Sequence, residues 1–274
     1  MSNISIFTYC SGYPYRVFKR FAGPLFESGF SGDVYFFIRQ CDEITVRRLI
    51  SKNPDWNIKY VVTNPMFHCQ AFRYTSYLKF LDASNEINDN ILLCDSRDVL
   101  FQKNIDDYDL CNSELYLFEE PDRKIGDCSI NSKWIKIVDQ FTEEENVFNE
   151  LKDKNVICSG TTFGTKSAIK KYLLLMSFFL ADRVDGKSIS RTVKGIDQGV
   201  HNYLFYKEKL SDLKVRVLTN EDNLVNTMGD KYHFINSDHK IVNKSHKVSY
   251  IAHQYDRLPI EIRGKLSDRY DFIY

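Results

Sequence analysis

The sequence predicts an α/β protein with a mostly parallel central sheet flanked by helices, and three observations carry that prediction. Short β-prone runs alternate with stretches of helical spacing through the first hundred residues, the pattern of strand, crossover helix and parallel strand. No Pro- or Ser-rich linker and no low-complexity tract divides the 274 residues, a length that one large α/β domain fills. Acidic residues stand directly after one apolar run, where a strand of such a sheet would leave the core and where open α/β sheets bind ligands.

The elements follow in order. Ile4 to Tyr9 reads as a first strand, and a segment containing glycine and proline, with a helix inside it, leads to a second strand over 34–38. A helical stretch over 43–51 precedes a third strand over 58–62. Phe67, Ala71, Tyr74, Leu78 and Leu81 recur at helical spacing. That helix runs into Ile91-Leu92-Leu93-Cys94, which is bounded in front by Asn88-Asp89-Asn90 and ends in Asp95-Ser96-Arg97-Asp98 before a second apolar run, Val99-Leu100-Phe101. Beyond it the pattern is mixed: a strand over 114–118, a charged helical piece over 142–154, and a short strand over 156–164 with glycines on either side of Thr161 to Phe163. Ser159-Gly160-Thr161-Thr162-Phe163-Gly164 then opens a helix from Lys166 to about Ala181. Gly195-Ile196-Asp197-Gln198 starts another helix, and Ile251-Ala252 is a strand-like run ending at His253. We expect one domain over 1–274, with a Rossmann-like nucleotide-binding half over about 1–104 and a mixed acceptor and catalytic half over about 105–274.

Composition narrows the function classes. Lys plus Arg and Asp plus Glu both number 37, so no net field attracts nucleic acid or an anionic membrane, and any anionic ligand must be held locally. Seven cysteines, at 10, 41, 69, 94, 111, 128 and 158, form no Cys-x-x-Cys pair and read as reduced thiols of a cytoplasmic protein. The N-terminus lacks a basic region followed by an apolar signal core, and the longest apolar stretch, 172–181, is too short to span a bilayer. Peripheral membrane contact stays open.

Two features carry chemistry on local grounds. The carboxylates of Asp95 and Asp98 offer hard oxygen ligands for Mg²⁺ or Mn²⁺, and such an ion holds a diphosphate; the alternative is a solvated loop with an Arg-Asp ion pair. Gly160 permits close backbone approach to a ligand, or serves as a plain turn before a helix.

The order of a helix with Arg73 and Tyr77, an Asp-bearing strand end, Ser159-Gly160-Thr161-Thr162-Phe163-Gly164, Gly195-Ile196-Asp197-Gln198 and a late His253 resembles the GT-A-fold glycosyltransferases over most of the chain. That resemblance implies a GT-A-like domain transferring a sugar from a nucleoside-diphosphate sugar, with UDP as the implied nucleotide, to a glycan or other hydroxyl acceptor. It also implies Mn²⁺ or Mg²⁺, held by an Asp-x-Asp motif and a C-terminal histidine. Asp98 matches the second Asp, and Ser96 falls where the first stands. Three residues of extended chain would separate the Asp95 and Asp98 carboxylates by roughly 10 Å, so Asp95 is a metal ligand only if the turn carries an extra residue, and otherwise contacts the ribose.

The remaining assignments follow from the same order, each beside its alternative. His253 would complete the metal shell, or be structural. Arg257 would meet diphosphate oxygens, or pair with Asp256 or Glu261. Arg73 and Tyr77, one turn apart, share a face for the nucleotide, or are a solvated Arg beside a core Tyr. Asp197, between glycines that loosen the backbone, would act as general base or stabilise a cationic sugar, or cap its helix. Two other functions remain open. One is a sugar nucleotidyltransferase, although its Gly-rich loop would here be Cys10 to Arg16 with one glycine; the other is a non-catalytic glycan-binding protein on the same fold.

Overall fold

In the computed structural model, which describes residues 3–65, 68–109, 113–142, 144–181, 189, 193–228 and 234–269, the first apolar run forms β1 (Ile4–Tyr9), buried at every position. It is followed by α1 (Tyr15–Glu27), β2 (Asp33–Ile38), α2 (Glu43–Lys52), β3 (Ile58–Val62), α3 (Cys69–Ala83) and β4 (Asn90–Cys94). β1, β2 and β4 are mostly apolar because both faces of the sheet are covered there, whereas β3 at the edge carries Lys59 and is only partly buried. Phe7, Tyr35 and Phe37 point to the face closed by α3, where Tyr77 lies 4.6 Å from Phe37 and 5.8 Å from Phe7 between ring centroids. Their sequence neighbours Ile6, Val34 and Phe36 point the other way, onto Phe18 and Phe21 of α1. The two-residue alternation of a strand thus feeds two cores.

The second half adds β5 (Val99–Phe101), β6 (Leu115–Lys124), α4 (Ser129–Phe141), α5 (Val147–Leu151), β7 (Asn155–Thr165) and α6 (Lys166–Leu180). Then come α7 (Ile196–Tyr206), β8 (Val215–Leu218), β9 (Val225–Thr227), β10 (Ile251–His253) and α8 (Ile260–Arg269). The large sheet has the order β3-β2-β1-β4-β7-β6-β8, and β7 alone runs against the other six. A three-stranded sheet, β5-β10-β9, lies beside it.

The structure departs from the sequence expectations in the second half. The strand expected over 156–164 is there as β7, but a bulge interrupts it: Leu117 pairs with Thr162 and Phe118 with Cys158, so Ser159, Gly160 and Thr161 have no partners on β6. The charged helix expected over 142–154 contracts to five residues, α5, behind an αL residue, Asn146. The first residue of the expected 67–81 helix, Phe67, lies outside the described residues, and α3 starts at Cys69. Helix α4 has no counterpart in the sequence reading. Among the described residues no helix is long and apolar enough to cross a membrane.

Candidate active site

Strand order reverses between β1 and β4, since β1 continues outward to β2 and β3 while β4 leads to β7. The crevice beyond their carboxyl ends is where Asp95 and Asp98 emerge. The intervening turn is pinned on several sides. Ser96 Oγ donates to the Tyr9 carbonyl (3.1 Å), and the Asp95 N–H donates to the Gly160 carbonyl inside the bulge (2.8 Å). The Arg97 carbonyl accepts from Arg20 Nη2 (2.6 Å) and the Tyr255 hydroxyl (3.3 Å). So held, the chain bends back on itself, and the wide carboxylate separation expected of an extended chain does not occur.

His253 reaches the same point through strand pairing. Strand β10 runs antiparallel to β5 with His253 opposite Val99, and the Gln254 N–H donates to the Asp98 carbonyl (2.7 Å). Asp95, Asp98 and His253 each bring one ligand atom to within 4.8 Å of the others. His253 is fully buried, yet its Nε2 has no hydrogen-bond partner among the described residues and stands 3.6 Å from Asp95 Oδ2. An orphaned buried ring nitrogen facing two carboxylates fits a divalent ion, and an O, O, N donor set suits Mn²⁺ or Mg²⁺. On the other side of the ring, Nδ1 lies 3.7 Å from Cys158 Sγ. A Cβ on Gly160 would fall 2.3 Å from His253 Cε1, 2.5 Å from Nε2 and 2.9 Å from Asp95 Oδ2. Gly160 therefore makes room for the ligand set itself.

The two carboxylates titrate in opposite directions. Burial opposes ionisation of Asp95, but the Arg73 guanidinium and His253 outweigh it and lower its pKa. Burial and the neighbouring Asp95 charge raise that of Asp98. Burial also favours neutral His253, but the Cys158 sulfur and both carboxylates raise its basicity well above the ordinary value.

Arg73 joins this triad to Asp197. Its Nη1 pairs with Asp95 Oδ1, and its Nη2 pairs with Asp197 Oδ2 at 2.9 Å and donates to the Ser159 carbonyl at 3.2 Å. A buried guanidinium needs this number of partners, and two carboxylates raise its pKa well above the usual value. Asp197 Oδ2 also accepts from the Tyr74 hydroxyl (3.2 Å) and Ser159 Oγ (3.3 Å), whereas Oδ1 has no hydrogen bond among the described residues. Burial raises the Asp197 pKa against the pull of Arg73.

Asp197 is not the cap of its helix. Gly195 occupies that position with φ 84°, and Asp197 lies inside the first turn. Nor do the glycines loosen the backbone: a Cβ on Gly195 would meet Trp134 Cζ2 at 2.5 Å, and one on Gly199 would meet Trp134 Cβ at 3.0 Å. They let α4 approach α7. Asn202 fixes the same helix to β7, donating to the Ile157 carbonyl (2.7 Å) and accepting from its N–H (2.8 Å) where β4 has already ended.

Two of the sequence-selected side chains lie apart from the cluster. Tyr77 is packed among Phe7, Phe37 and Phe80 on the core face of α3. Arg257 is exposed on the turn after β10, while Asp256 pairs with Arg97 at 2.8 Å. Arg97 also reaches within 3.8 Å of Asp98, and with Tyr13, Arg16 and Arg20 it lines a cavity of about 370 Å³. Sequence reading missed Glu120 as well. It is buried within β6, two residues past the apolar run Leu115 to Phe118, and accepts from Gln198 Nε2 (3.2 Å), so a search for carboxylates closing an apolar run, the rule that singled out Asp95, would have found it.

No protein-family model matches the chain, and no curated protein matches it in sequence. Solved structures do resemble it. An active-site mutant of LgtC superposes with a TM-score of 0.61 at 10% identity, covering 97% of this chain and 95% of that one. The galactosyltransferase LgtC in complex with donor and acceptor sugar analogues gives 0.56 at 12% identity, over 96% and 100% of the two chains. Mouse xyloside xylosyltransferase 1 gives 0.52 at 11% identity, over 93% and 99%. At these identities the shared property is the fold.

Proposed function

We propose, from the GT-A fold this chain shares with those transferases, that it is a metal-dependent glycosyltransferase. It would move a sugar from a uridine-based nucleoside-diphosphate donor to a hydroxyl of a glycan or other acceptor. The observation that carries this reading is the double engagement of Asp95: Oδ2 faces His253 in the ion site and Oδ1 binds Arg73, which in turn holds Asp197. The ion site and the carboxylate that would act on the sugar are thus one guanidinium apart.

Asp98, Asp95 and His253 would hold Mn²⁺ or Mg²⁺, and the bound ion would supply Lewis-acid neutralisation of the leaving diphosphate. The arginine-lined cavity beside Asp98 is the place for the nucleoside diphosphate, with Tyr13 offering a stacking surface and Arg97 a planar fork for phosphate oxygens. Arg97 takes the part that the sequence order assigned to Arg257. Asp197, with Oδ2 fixed and Oδ1 free, would accept the acceptor proton or stabilise an oxocarbenium-like sugar.

The test is a screen of nucleotide sugars with Mn²⁺ and with chelator, read by nucleoside-diphosphate release and product NMR. Release that requires the ion and an acceptor supports transfer. Pyrophosphate formed from a nucleoside triphosphate and a sugar phosphate would make the chain a nucleotidyltransferase. Sugar binding with no turnover would make it a binding protein.

A further inference from the structure

Of the three candidate ion ligands, His253 alone carries a choice of tautomer. An imidazole that binds an ion is neutral, bears one proton, and offers its lone pair from the other nitrogen. The ring is completely buried, so that proton needs a partner inside the fold. Nε2 stands 3.6 Å from Asp95 Oδ2, beyond hydrogen-bond reach, and has no partner among the described residues. Nδ1 lies 3.7 Å from Cys158 Sγ, within the longer reach of a bond to sulfur. Cys158 is itself buried and held from two directions: it pairs with Phe118 of β6 at the edge of the bulge, and Gln254 Nε2 donates to its sulfur at 3.8 Å. Gln254 is fixed in turn by a left-handed backbone at φ 62° and by its N–H on the Asp98 carbonyl (2.7 Å).

The proton of the neutral ring has two possible places. On Nε2 it would point a buried N–H into the ion site with no acceptor in reach, and the lone pair would be turned away from the carboxylates. On Nδ1 it meets the sulfur, and Nε2 keeps a bare lone pair beside Asp95. Turning the ring over about its Cβ–Cγ bond would set Cδ2 against the sulfur and Cε1 toward Asp95, with the hydrogen bond lost. We infer that Cys158 is a positioning residue for the ion site: its sulfur accepts the Nδ1 proton of His253 and so selects the one tautomer and ring orientation in which Nε2 can bind the ion. A thiol sulfur has the lone pairs to accept from His253 and from Gln254 together. Outer partners of this kind commonly fix a metal-binding imidazole, and here a buried sulfur does so.

The ion in this inference rests on the reading of Asp95, Asp98 and His253 as its ligands, whereas the hydrogen bond to sulfur does not. The experiment combines ¹⁵N NMR of His253 in the ion-free protein, at alkaline pH where the ring is neutral, with Mn²⁺ titration of the substrate-free protein followed by electron paramagnetic resonance. The expected spectrum shows a pyrrole-type shift at Nδ1 and a pyridine-type shift at Nε2. Cys158→Ala should weaken Mn²⁺ binding by about 10-fold to 100-fold with far-ultraviolet circular dichroism unchanged. Cys158→Ser, which returns an acceptor, should recover most of that loss. An Nε2–H tautomer overturns the proposal whatever the affinities. So does an unchanged Mn²⁺ affinity in Cys158→Ala, or an equal loss in both variants, which would make the sulfur a packing group. If the unmodified protein binds no Mn²⁺, the ion reading fails while the tautomer still decides whether Cys158 holds the ring.

Discussion

Asp98 is the side chain through which ion and phosphate binding are most directly tested, because it is buried, carries a raised pKa and holds no strong ion pair. Asp98→Asn should abolish the metal-dependent part of nucleoside-diphosphate affinity, measured by calorimetry with Mn²⁺ and with chelator. Equal curves in the unmodified protein would sink the assignment. Gly160→Ala probes the same site from the backbone. A methyl 2.5 Å from His253 Nε2 must displace the ring, so Mn²⁺ binding followed by electron paramagnetic resonance should weaken by at least about 10-fold while far-ultraviolet circular dichroism stays unchanged. Asp197→Asn keeps the shape and loses the charge. Turnover should fall by about 10²-fold to 10⁴-fold with donor affinity little changed. Stability should also drop by about 1–3 kcal/mol, because a buried charge-assisted bond to Arg73 is lost while Asp95 still pairs with the guanidinium. A variant with normal kcat would leave the catalytic group unidentified.

At the scale of elements, the bulge of β7 and the helix behind it position the site. Asn202→Ala would strip two hydrogen bonds from Ile157, which pairs with Glu119 of β6 but lies beyond the end of β4 on its other side, at a cost of about 2–4 kcal/mol in urea unfolding. A loss under about 0.5 kcal/mol would mean that water replaces the clamp. Strands β1 and β3 were legible residue for residue: β1 is a run buried at every position, and β3, at the sheet edge and only partly buried, still carries the β-prone Ile58, Tyr60, Val61 and Val62. Helix α4 was not: its buried stripe includes Asn131, while Ile130 is 57% exposed, so polarity and burial part company there. Asp95, Asp98 and His253 could be grouped as candidate ion ligands through the family order, but the geometry that brings them together could not be read from the residues. It depends on a bend held by Tyr9, Gly160, Arg20 and Tyr255, and on β10 pairing with a strand far away in sequence. The Arg73 bridge was hidden for the same reason, because an arginine in mid-helix shows nothing of partners on β4 and α7.

For the molecule as a whole, His201 ties stability to acidity. Burial and the nearby Arg73 charge lower its pKa from 6.5 to about 3. Below pH 6.5 the unfolded chain takes up a proton there that the folded chain refuses until about pH 3. Stability should therefore be fully present above the upper value and decline as pH falls through this window, by about 2 kcal/mol at pH 5 from this group. Urea unfolding at pH 7 and pH 5 should show that slope, and His201→Leu should flatten it; an unaltered slope would place the acid sensitivity elsewhere. The late position of His253 has a different consequence. Six of the seven strands of the large sheet lie before residue 166, whereas the imidazole that closes the ion site arrives on β10, the last strand of the fold. During synthesis on the ribosome the two carboxylates are present from an early stage, yet the triad exists only once the chain has passed residue 253 and β10 has docked on β5. A chain that stops short of β10 would thus carry most of the large sheet and both carboxylates, but lack the third candidate ligand.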